Sequence, residues 1–134
     1  MTAHTSKKTK LNAVFFKTAV GNEPVRVWLK SLPREDKKMI GIDVQTVQLG
    51  WPLGMPLVRS LENGLWEVRT KLMGARIARI LFFMDDNTMV LVNGFMKKTQ
   101  KTPQAELALA RKRKNEYEHF HAQLNKRGVK HEST

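Results

Sequence analysis

The chain has 134 residues, 24 Lys plus Arg against 12 Asp plus Glu, a formal charge of +12, and no cysteine. That length suits one domain built round one modest core. The missing thiols exclude disulfides, thiolate metal sites and cysteine nucleophiles. The surplus of cations points to an anionic partner, nucleic-acid phosphate before an anionic membrane or an acidic protein.

Residues 1–10 (MTAHTSKKTK) are polar and basic and read as a flexible arm without the apolar core of a signal peptide. Residues 11–16 (LNAVFF) fit a strand, and Gly21-Asn22 punctuates the turn after it. A helix is expected from Glu23-Pro24, capped by Asn22, with Val25, Trp28, Leu29 and Leu32 as its apolar stripe. Pro33 ends it and opens a second helix, whose buried face is Met39, Ile40, Val44 and Val47 and which stops at Gly50-Trp51-Pro52. Residues 57–61 form a strand candidate closed by Glu62-Asn63-Gly64, a strong hairpin signal. In residues 65–72 (LWEVRTKL), Trp66, Val68, Thr70 and Leu72 share one face and Glu67, Arg69 and Lys71 the other. Gly74 turns the chain into residues 75–84 (ARIARILFFM), apolar on both faces except at Arg76 and Arg79, which predicts a central strand too short to span a bilayer. After the turn Asp85-Asp86-Asn87, residues 89–96 give another buried strand. Residues 97–101 (KKTQK) are a basic connection. Thr102-Pro103 then opens a last helix with Leu107, Ala110 and Tyr117 near one face, and residues 121–134 are expected to form a flexible basic tail.

The expected order is β-α-α-β-β-β-β-α within a domain over residues 11–120. An antiparallel sheet has the helical pair on one side and is partly open on the other.

Four groups could do chemistry. Glu67, Arg69 and Lys71 gather charge on the strand face away from the core, or form a solvated face with weak cross-strand pairs. Arg79 shares the parity of Ile77, Leu81 and Phe83, so it requires a partner such as Glu67 or an anion, and Arg76 lies near the strand's rim. Lys97, Lys98 and Lys101 end the last strand as a phosphate-contact cluster or a solvated loop. Arg111, Lys112, Arg113 and Lys114 point round the whole last helix and read as general attraction or as a contact for an acidic partner. His4, His119, His121 and His131 make no metal site, and Tyr117 reads as packing. There is no Gly-rich phosphate loop, no GxSxG elbow and no paired-His motif.

Taken together, LWEVR (65–69), GARIARILFF (74–83) and GFMKKTQKTP (94–103) resemble the HigB-like, phage-related branch of the RelE superfamily of toxins, a likeness that covers about residues 11–117. The resemblance implies an α+β fold with a small antiparallel sheet, an N-terminal helical hairpin on one face and a C-terminal helix. It implies a cytoplasmic toxin of a type II toxin–antitoxin pair that binds the ribosome and cuts translated mRNA without metal or cofactor. Its cognate antitoxin would carry a helix-turn-helix domain. By position, Arg69 and Arg79 match the basic positions of the superfamily's catalytic face, and Lys97 with Lys98 matches the basic end of the last strand. Metal-free cleavage by the neighbouring 2′-OH needs cations for the phosphorane and a base for the hydroxyl proton. Arg69 and Arg79 are assigned to the scissile phosphate with Lys97 assisting, Glu67 to the base, and Lys71, Arg76, Lys98 and Lys101 to RNA binding. The competing functions are a non-cleaving toxin of the same fold directed at a target such as DNA gyrase, and a basic phage-derived nucleic-acid-binding protein.

Overall fold

A computed structural model describes residues 10–97 and 101–126. Its elements follow the expected order: β1 (Asn12–Phe15), α1 (Pro24–Lys30), α2 (Arg34–Gly50), β2 (Val58–Ser60), β3 (Leu65–Lys71), β4 (Ile77–Asp85), β5 (Thr88–Lys97) and α3 (Gln104–Lys126). The fold is α+β. The five strands form one sheet in the order β1-β5-β4-β3-β2. It is mixed rather than antiparallel, because β1 runs parallel to β5, Asn12 beside Thr88 and Phe15 beside Leu91. Hydrophobic alternation reports which face a residue takes and says nothing of strand direction, so the difference had no signal in the pattern.

The turns carry the residues their geometry demands. Asn63 and Gly64 both have positive φ, at 55° and 74°, and Glu62 accepts a hydrogen bond from Leu65 N–H at 3.0 Å. Proline opens α1 as expected, but Glu23 occupies the capping position and Asn22 instead exchanges bonds with Thr18. Helix α3 continues to Lys126, six residues past the boundary drawn at 120, and the rest of the expected tail and residues 1–9 of the arm lie outside the described residues.

Two layers cover the sheet. On one face, α1 and α2 bury Val25, Ile40 and Val47 against Val58, Val68, Ala78, Ile80, Phe82 and Leu91. Each such side chain contributes roughly 1.5–3 kcal/mol on leaving water. Helix α1 sits so close to β5 that a Cβ on Gly94 would lie 2.5 Å from the Trp28 ring, so only glycine fits there. On the other face, α3 buries Leu107 and Ala110 against Leu65, Leu81, Phe83, Val90 and Val92. That face, expected to be partly open, is a second core over half its area. Asn93 fixes α3 in place, its amide N–H groups donating to Glu106 O and Oε1 at 3.0 and 2.9 Å.

Candidate functional site

The other half of the α3 face is charged. Strand register sets it out in cross-strand rows: Lys71, Ile77 and Lys97, then Arg69, Arg79 and Phe95, then Arg59 beside Glu67 with Leu81 and Asn93 beyond. Alternation puts Glu67, Arg69 and Lys71 on one face, as expected, and the register adds Arg79 and Lys97 to it. They do not form a solvated strand face: Glu67 and Arg79 are 0% exposed and Arg69 only 8%. Lys71, Lys97 and Lys101 are exposed at the open end of the rows. Lys98 lies outside the described residues.

The hydrogen bonds show what holds these groups. Arg69 Nη1 donates to Glu67 Oε1 at 3.2 Å, and the buried Thr102 hydroxyl donates to Glu67 Oε2 at 2.8 Å. Arg79 Nη1 donates to the Lys101 carbonyl at 3.1 Å. Its Nε and Nη2 are buried and find no hydrogen-bond partner among the described residues. Those two atoms form the side edge of the guanidinium, which takes two oxygens of one phosphate or carboxylate at once. Burial pushes the Arg79 pKa down, Glu67 opposes that shift, and Arg69 and Arg59 add to it. A guanidinium keeps its proton even so, and an unsatisfied buried donor costs free energy that an entering anion would recover.

Two assigned residues have other surroundings. Arg76 already has a partner: its Nη1 and Nη2 clamp Asp36 of α2 at 2.8 and 3.2 Å, and its Nε donates to Met73 O at 2.9 Å. The pair ties the start of β4 to the helical hairpin, and the Arg76 hydrogen bond holds the Asp36 carboxyl below its ordinary value. Glu67, assigned as a base, is fully buried, with Oε1 accepting from Arg69 and Oε2 from Thr102.

The cations of α3 are mostly structural. Arg111 pairs with Glu62, Arg113 donates to Val92 O at 2.8 Å, and Lys114 pairs with Glu118 while lying over the Phe83 ring. Tyr117 packs edge-on against Phe83 and donates to Asp85 at 2.6 Å, at the end of β4 away from Arg79. Burial and the Asp85 contact push its phenol well above the ordinary range, which fits packing rather than proton transfer. Beside it, a groove of about 460 Å³ between the end of β1 and α3 is lined by Phe15, Phe16 and Phe120 and holds none of the assigned residues.

Sequence reasoning missed Arg59 and Thr102. Arg59 faces Glu67 across β2 and β3, so its parity was a usable signal once residues 57–61 were read as a strand. Thr102 was read only as a helix start, and a contact 35 positions from Glu67 leaves no local trace. Among the described residues no cluster of His, Asp or Glu is arranged to hold a metal, and no helix is long and apolar enough to cross a membrane.

No curated protein matches the chain. The family model described as "Phage derived protein Gp49-like (DUF891)" matches residues 27–115, from within α1 through β5 to the middle of α3, with the whole arginine row. The chain belongs to this Gp49-like, phage-derived family of RelE/HigB-like toxins of toxin–antitoxin systems.

Proposed function

We infer that the protein is the toxin of a type II toxin–antitoxin pair and acts in the cytoplasm as a ribosome-dependent endoribonuclease on translated mRNA. The observation that carries this reading is the edge of Arg79, without an acceptor among the described residues, buried beside Arg69 and Arg59 in a chain of a toxin family. A site of that kind suits a dianionic transition state better than a neutral ligand.

In the proposed reaction the 2′-OH gives its proton to water and attacks the adjacent phosphorus, the bond to the 5′-oxygen breaks as that oxygen takes up a proton, and the products are a 2′,3′-cyclic phosphate and a 5′-OH. Arg69 and Arg79 hold the scissile phosphate and take the charge that develops on it, and Arg59 adds a third cation. Lys97, with Lys71 and Lys101, lies at the exposed end of the rows and serves the leaving oxygen and the flanking phosphates. The +12 charge steers the protein to the ribosome and to an acidic segment of its antitoxin.

The test adds purified protein to programmed ribosomes, with naked mRNA as the control. A single cut in the A-site codon, absent without ribosomes and reduced at least about 100-fold in Arg69→Ala and Arg79→Ala, is the expected result. Uncut mRNA at saturating protein would refute the nuclease reading and favour the non-cleaving toxin.

A further inference from the structure

Glu67 is the one carboxylate in a row of arginines, and its charge is opposite to theirs. Oε1 accepts from Arg69, Oε2 accepts from Thr102, and none of it reaches solvent. A buried carboxylate among three guanidinium groups does what a bound anion does: it screens Arg59, Arg69 and Arg79 from one another. The strand register puts it beside Arg59, and its own hydrogen bond sets the position of Arg69. Among the described residues Arg79 Nε and Nη2 have no acceptor, so Glu67 does not fully compensate Arg79.

We propose that Glu67 is a positioning residue, the resident counter-anion of the Arg59–Arg69–Arg79 row. It holds Arg69 in place and weakens the row's grip on an entering phosphate by repelling it and by competing for the same cations. The inference rests on the reading that the row receives a phosphate, but not on that phosphate belonging to mRNA. A toxin site built this way releases its cleaved product, where an uncompensated row would retain it.

Inorganic phosphate is the probe, titrated into the full chain at constant ionic strength and followed by the shift in melting temperature and by calorimetry. Glu67→Gln keeps the shape and removes the charge, and should bind phosphate about tenfold more tightly than wild type. Glu67→Asp keeps the charge and changes the shape, and should stay within about twofold of wild type. A purely structural role gives the reverse order, because the isosteric glutamine would then be the milder change. Equal or weaker binding by Glu67→Gln overturns the counter-anion role. No response to phosphate from wild type or Glu67→Gln instead overturns the anion-site reading beneath it. If Glu67→Gln does not fold in dilute buffer, refolding in phosphate but not in sodium chloride of matched ionic strength supports the proposal. Failure in both overturns it.

Discussion

Arg76 and Arg79 stand three positions apart at the start of the same strand and have opposite fates. Arg76 faces the helical hairpin, where all of its donors that contact the protein are spent on Asp36, Met73 and Met96. Arg79 faces α3, more deeply buried, with one hydrogen bond to the Lys101 carbonyl and, among the described residues, no partner for Nε and Nη2. The hairpin side of the sheet pairs its arginine fully, whereas on the α3 side Arg79 Nε and Nη2 have no acceptor among the described residues. On the proposed reading, the unpaired edge of Arg79 is what an entering anion completes, and the two faces divide the work into stability and function.

Substitutions on each side can break that division. The largest effect on folding should come from Phe82→Ala on the hairpin side, which empties a fully buried site and costs about 3–5 kcal/mol in urea denaturation. Arg79→Met should reduce cleavage at least about 100-fold. Its stability should hold or rise by about 1 kcal/mol, because an apolar side chain carries no unsatisfied charge. A marked loss of stability in that variant would make Arg79 a structural residue like Arg76 and collapse the comparison. Gly94→Ala forces a methyl group into the Trp28 ring and should cost about 1–3 kcal/mol without a specific effect on cleavage.

The smallest effect tests the Asp36–Arg76 clamp through pH. The Asp36 carboxyl is held below its unfolded value, so its contribution is full above about pH 4 and fades as pH falls through the lower, folded value. The melting temperature of Asp36→Asn should therefore lie below wild type at pH 7, and the gap should narrow toward pH 3. A gap that stays constant with pH would mean that the clamp is not electrostatic.

Much of this was legible beforehand. The 3.6-residue stripes placed α1, α2 and α3, and the alternation in residues 65–72 put Glu67, Arg69 and Lys71 on one face, while the pairing of that face with Arg79 came only with the strand register. An arginine inside ARIARILFF announced itself because such a run has no water to offer it. What periodicity could not carry was the identity of partners. Asp36 is 40 positions from Arg76, and Thr102 is 35 from Glu67. The same spacing rules that read the charges of α3 as scattered attraction could not foresee that Glu62 and the Val92 carbonyl would meet two of them. Burial of Glu67 was missed for a related reason: a polar residue on a strand looks solvated until something else in the chain supplies its hydrogen bonds.

The parallel pairing of β1 with β5 has a consequence for how the chain is made. Strands β3, β4 and β5 are joined by short turns and can zip together as they leave the ribosome, but Asn12 must wait for Thr88 before β1 finds its neighbour. Arg69 and Arg79 belong to the early meander, whereas the Thr102 hydroxyl that anchors Glu67 arrives last. A nascent chain thus assembles its cations before it acquires the contact that anchors Glu67, and the β1 edge and the Glu67 contact are both completed after the meander.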